Sequence, residues 1–236
     1  MNNRFITNTD GLLDADSGED AVTSTVLLEQ RIAAYEDQLK ALPADAKALE
    51  KAEIQINMGV ALVDLERGEE AFAVARDAFD SMVKIEAWDE AVHACKIMFA
   101  AEQDQSLAAL GQGVWLSVTF PINPELSVAM LEHIVDETPE DSDGAAVAAA
   151  VAHYIADHRA KGKEHEELSF FTNNLLATVA RRHSNVDSQE KFSFWMEKME
   201  LNDPEKFLPR LRNVIDVMVQ EDWWVDRDAI WASLPS

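Results

Sequence analysis

Cysteine is nearly absent from this 236-residue sequence, where Cys95 stands alone. One thiol closes no internal disulfide, which argues against a secreted disulfide framework and points to a reducing compartment, the cytoplasm. Basic residues are scarce as well: 20 against 44 acids, for a formal net charge of −24. A surface of that sign repels phosphate backbones and anionic bilayers, so neither nucleic acid nor a membrane is expected as a partner. No apolar run approaches the length of a bilayer span; the longest, from Ala145 to Ala152, is mostly alanine. The opening MNNRFITNTDGLLDADSGED lacks the apolar core of a signal peptide and turns acidic at once. Alternating β-branched stretches are missing, which excludes a sheet. So are a glycine-rich phosphate loop, a cysteine pair and a His-Glu-x-x-His, which leaves no recognisable phosphate or zinc chemistry.

What remains is a folding sequence. Hydrophobic residues make up 47 % of it, well above the range of disordered chains. Three readings of the acidity stay open: solubility at high concentration, a cationic partner, or a salt-rich habitat. Residues 1–25 read as a flexible acidic arm of Asn, Thr, Asp, Gly and Ser. Within the arm, Asp14, Asp16, Gly18 and Asp20 imitate the start of a calcium loop, but the closing glutamate position holds Thr25. From Val26 a helical period takes over, with Leu27, Leu28, Ile32, Tyr35 and Leu39 on one stripe. About ten helices follow by the same criterion. Gly111 and Gly113 put the continuity of one of them in question, and Pro209 either kinks a later one or marks its start. The acidic loop Asp136–Gly144 divides the chain into halves, 26–136 and 145–236, or else bends one continuous domain.

The stretch from Ala44 to Lys84 is the most regular. Two helices turn over Arg67-Gly68, with Gly59, Ala71 and Ala78 where their backbones would cross. Gly59, Leu62, Ala71 and Ala78 stand at the spacing of a tetratricopeptide repeat, and this hairpin resembles one. The large anchors are substituted: Gln55 stands for Trp, Ala75 for the aromatic, and no Pro closes the unit. Trp88 falls about one repeat later, near the place of a second unit's Trp. The expected architecture is therefore all-α: antiparallel helical hairpins stacked as a diverged tetratricopeptide-like α-solenoid or helical array. The resemblance implies a partner bound on the face lined by first helices. On that face would stand Glu53, Ile56, Asn57, Val60, Val63 and Asp64. Glu53 and Asp64 are the wrong charge for clamping a C-terminal carboxylate and suit a basic or apolar segment instead.

Other constellations carry weaker chemistry. Glu90 and His93 form a Glu-x-x-His, half of a helical di-iron site with no second half. His153 and Asp157, with His158 and His165 nearby, either contribute to a metal site or are hydrogen-bonded structural residues. Cys95 occupies a core-like helical position. Trp223, Trp224 and Trp231 either cap the open end of the array or anchor a partner. Phe194-Trp195 reads as core.

These features point to a non-enzymatic protein–protein interaction module (an adaptor, assembly factor or accessory chaperone) that needs no cofactor. Its partner-binding residues would be the six named above together with Trp223 and Trp224. Two other classes stay open: a helical-bundle metalloenzyme using Glu90, His93 and His153, and an acidic mimic of nucleic acid that binds a basic protein. Homodimerisation through the Ala-rich helix is open as well.

Overall fold

A computed structural model describes residues 18–234, and every regular element among them is a helix. The order is α1 (Gly18–Ala41), α2 (Ala48–Asp64), α3 (Gly68–Lys84), α4 (Trp88–Ala100), α5 (Ser106–Thr119), α6 (Pro124–Glu137), α7 (Asp143–Arg159), α8 (Gly162–Ser184), α9 (Gln189–Lys198), α10 (Pro204–Val219) and α11 (Arg227–Ser233). Helix α1 starts at Gly18, earlier than the periodicity implies, so the last part of the expected arm is helical. The calcium-like Asp14 and Asp16 lie outside the described residues.

From α1 to α8 each helix packs against the next, as short antiparallel connections require. The even-numbered helices α2, α4, α6 and α8 also touch one another in succession. Among the described residues the odd-numbered α3, α5 and α7 make no comparable contact. The array therefore has a close layer and a splayed layer, and α10 fills the splay by packing on both α5 and α7. The loop expected over Asp136–Gly144 is shorter, residues 138–142, and packing is continuous across it, because α6 and α7 lie against each other on its two sides.

Side-chain size sets these distances. Residues Ala145 to Ala152 of α7 are all buried, and their small side chains let α6, α8 and α10 approach on different sides. That stripe is used within the chain, so it offers no free face for homodimerisation. Helix α5 is unbroken because its glycines are crossing points. A Cβ on Gly113 would stand 2.8 Å from the Cys95 Cβ of α4 and press on Met130 of α6. One on Gly111 would run into Val219 of α10. Burial pushes the Cys95 thiol far above its ordinary range, so it is inert packing.

Capping sets the boundaries. The Asn123 side chain accepts from the Leu126 N–H and Pro124 opens α6. Asp203 and Pro204 do the same for α10, so Pro209 lies inside that helix rather than at its start. Three arginines are spent on carbonyls at the C-terminal ends of helices, where the dipole favours a cation. Arg159 donates to the Ser117 and Val118 carbonyls at 2.6 and 3.0 Å, Arg182 to Val135, and Arg210 to Met199. With these arginines turned inward, acids dominate what the surface presents. Of the Phe194-Trp195 pair only Trp195 is core; Phe194 is 66 % exposed, because α9 packs through one face and carries Phe194 on the other.

Candidate partner-docking face

Helix α2 buries Ala52, Gln55, Gly59, Ala61 and Leu62. Its opposite stripe, Glu53, Asn57, Val60 and Asp64 at i, i+4, i+7 and i+11, is exposed, and Ile56 and Val63 flank it half-buried. Val60 is 47 % exposed, with an acid one to two turns away on either side. The stripe is held in place by the crossing beneath it. A Cβ on Gly59 would meet Ile97 of α4 at 2.9 Å and Val74 of α3 at 3.5 Å. Gln55, standing where the repeat pattern has Trp, is buried and donates to Asp77 of α3 at 2.6 Å. Lys51 also donates to Asp77, and these two bonds hold its carboxyl below the usual carboxylate range. A polar tie thus joins α2 to α3.

The neighbouring even-numbered helices extend this surface with groups that sequence reasoning did not bring together. On α4 they are His93 and Lys96, and on α6 Glu132, His133 and Asp136, all of them half-buried except the exposed Asp136. Phe99 lies 4.9 Å from the His133 ring, joining the two helices. His93 is held below its ordinary value by burial and then by Lys96, against the pull of Asp89 and Glu90. His133 is lowered by the same two causes, with Asp136 opposing. Glu132 is raised, first by burial and then by Asp136. The only sequence signal for this cluster is the placement of Glu132 and His133 in one turn of an amphipathic helix; its meeting with Lys96 depends on α4 and α6 being adjacent.

The sign of the pH dependence follows. A histidine whose folded value is depressed leaves stability intact above its unfolded value, ordinarily 6.5, and removes it as pH falls through the folded value. Glu132 acts oppositely and returns stability as it protonates at lower pH. The melting temperature is expected to decline as pH drops below 6.5, and the decline should be shallower in a His93→Gln/His133→Gln double variant. Melting curves at closely spaced pH values, with equal slopes for the two proteins as the contrary outcome, decide this.

The metal readings do not assemble. Among the described residues no three His, Cys, Asp or Glu side chains come close enough to hold an ion. Glu90 and His93 sit on α4 and His153 on α7, helices that do not pack together. His153 lies 3.0 Å from the Thr172 hydroxyl, which itself donates to the Leu168 carbonyl. The histidine therefore donates through Nδ1. Asp157, His165 and Ser169 imitate a catalytic relay, but the carboxylate and the hydroxyl both approach the same ring nitrogen, Nε2, at 3.1 and 3.4 Å. A relay needs one partner on each nitrogen. A cleft of about 380 Å³ between α7, α8, α9 and α10 exposes His153 and His158, yet His158 is bonded to the Tyr154 carbonyl at 2.9 Å. No side chain there is poised as a nucleophile.

The structure places Trp223 and Trp224 on the splayed layer, away from the α2 stripe. Trp224 packs edge-on to Phe72 and Phe79 of α3, with the Arg76 guanidinium 4.0 Å from its ring. Trp223 meets Trp115 of α5 and lies under Arg227. They cover a flank of the array rather than its end, while Trp231 of α11 is 59 % exposed. Compared with known proteins, the chain matches no protein family, no curated protein and no solved structure.

Proposed function

We propose that this chain is a protein–protein interaction module: a tetratricopeptide-like helical array that docks a basic or apolar segment on the face of its even-numbered helices. The observation that carries the reading is the exposed stripe Glu53, Asn57, Val60 and Asp64, an apolar contact between acids on a helix whose other sides are covered. The buried small residues Gly59, Ala71, Ala75 and Ala78 at the α2–α3 crossing support the likeness to a repeat. Docking would be mechanical, as in helix-in-groove recognition, with acids steering a cationic partner and Val60, Ile56 and Val63 supplying apolar contact. Such a role suits an adaptor, an assembly factor or an accessory chaperone. No helix of the described residues is long and apolar enough to cross a membrane.

The test is copurification from the native host with wild-type protein and with Glu53→Lys/Asp64→Lys. Reversing both charges should weaken the captured partner by about tenfold or more, and wild-type capture should decline with added salt. Retention of every partner by the reversed variant sinks the proposal.

A further inference from the structure

Residues 221–225 leave α10 without regular structure and lie against α5, where their main chain is held in the way a groove holds a peptide. Gln112 of α5 is fully buried, yet both ends of its amide are spent on the segment's main chain. Its Nε2 donates to the Asp222 carbonyl at 2.7 Å, and its Oε1 accepts from the Trp224 N–H at 3.2 Å. Two-point reading of a backbone by one buried amide holds an extended chain in register without regard to its side chains. Selectivity comes from what surrounds the amide. The Trp224 indole fills a slot walled by Phe72 and Phe79 and lidded by Arg76, and Gln105 donates to the Asp222 carboxylate at 2.9 Å. A buried amide clamp, an aromatic slot with a cationic lid, and a donor to an acid two residues before the anchor define a ligand: an extended segment with Asp two positions ahead of Trp.

The resident segment fits imperfectly. The Trp224 Nε1 is buried with no acceptor. Gln220, where the chain reverses out of α10, sits at φ 53° and ψ −122°, a backbone conformation suited to glycine and strained for glutamine. The strain at Gln220 belongs to the cis connection alone, so it raises the free energy of the closed state and eases displacement by a separate segment.

We infer that the flank of α3 and α5 is a second docking groove, distinct from the α2 stripe, held shut in cis by residues 221–225 and opened by a partner's extended acidic–tryptophan segment. The groove's own occupant is the template for that partner: it shows the backbone register, the slot and the charge a competing segment must match. This chemistry is opposite in sign to that expected for the ligand of the α2 face, so the two sites select different partners.

The test uses full-length protein and a fluorescein-labelled peptide with the sequence of residues 221–226, EDWWVD, followed by anisotropy. Trp224→Ala vacates the slot, and the peptide should bind this variant at least tenfold more tightly than wild type, where the cis segment competes. Adding Gln112→Leu to Trp224→Ala should remove that gain, and a peptide with its second Trp replaced by Ala should not bind. If the peptide binds Trp224→Ala no better than wild type while the variant's circular dichroism is unchanged, or if Gln112→Leu leaves binding intact, the inference fails. A readout on the unaltered chain guards against a variant that does not fold. Excess peptide should speed amide exchange of residues 222–234 in the wild-type protein while sparing α5, and unchanged exchange overturns the groove.

Discussion

Replacing Phe79 by alanine is expected to destabilise the protein by about 3–5 kcal/mol, the usual cost of deleting a buried phenylalanine and leaving its cavity. Phe79 is fully buried on α3, a helix that packs tightly on both α2 and α4. Neither neighbour is free to collapse into the gap. Helix α2 is tied to α3 by the Gln55–Asp77 and Lys51–Asp77 bonds, and α4 is locked on α5 by Gly113 and Cys95. The outer wall of the gap would be Trp224, whose ring centroid lies 5.6 Å from that of Phe79. Losing one wall of its slot, Trp224 should also detach more readily, so destabilisation and loosening of residues 221–225 are expected together. For a chain of this size about 2–4 °C of melting temperature accompanies each kcal/mol, so a fall on the order of 10 °C is expected. Phe79→Leu keeps most of the volume and should lose clearly less. Urea unfolding of the two variants checks the ranking, and a Phe79→Ala loss no larger than that of Phe79→Leu contradicts the packing described here.

Gly113→Val is the second large effect, arising from overpacking rather than a void. Helix α5 is buried on every side from Ala108 to Ser117, so its outline is fixed by neighbours instead of solvent. The first added atom meets Cys95 Cβ at 2.8 Å, and Cβ atoms move only with their backbone. Met130, the other obstruction, is a flexible side-chain end that can turn away. Valine adds two further methyl groups with one preferred helical rotamer. A helix normally gains about 1 kcal/mol when glycine gives way to alanine. Here that gain is outweighed, and a net loss on the order of 3 kcal/mol is expected from separating α4 and α5. Because the obstruction is the Cβ and not the sulfur, Cys95→Ala should fail to rescue Gly113→Val, whereas Cys95→Gly should recover part of the loss. Thermal unfolding of the three proteins separates these outcomes. Gly111→Ala should also destabilise, since its Cβ meets a methyl of the buried, β-branched Val219, whose χ1 is held to one helical rotamer.

The exposed stripe of α2 is legible before any coordinates. Glu53, Asn57, Val60 and Asp64 lie on one face by helical spacing alone, and the small residues opposite them mark the buried side. The polar cluster of the next helices is not, because Lys96 and His133 are 37 positions apart in the sequence and no local pattern joins them. The same limit applies to Gln112. In sequence it is a polar interruption between two glycines. Its meaning comes from a segment more than a hundred residues downstream. The tryptophan pair can be picked out as anchors from composition, but whether they face a partner, an array end or the chain itself depends on where α10 lies.

By itself, then, the sequence determined the helices, their caps and their amphipathic faces, for these depend on φ/ψ preference and on contacts within a few residues. It determined the sign of the surface, since charge adds up without regard to position, and it marked α7 and the α2–α3 crossing as places of close approach through their small residues. Only the tertiary structure decided that the odd-numbered helices splay, that α10 fills the splay, and that Trp223 and Trp224 close over α3 and α5. Those outcomes rest on burial of apolar area between segments far apart in the chain, which is non-directional and selects a partner by shape. A local pattern specifies that a face will be buried; the packing of the whole array specifies against what.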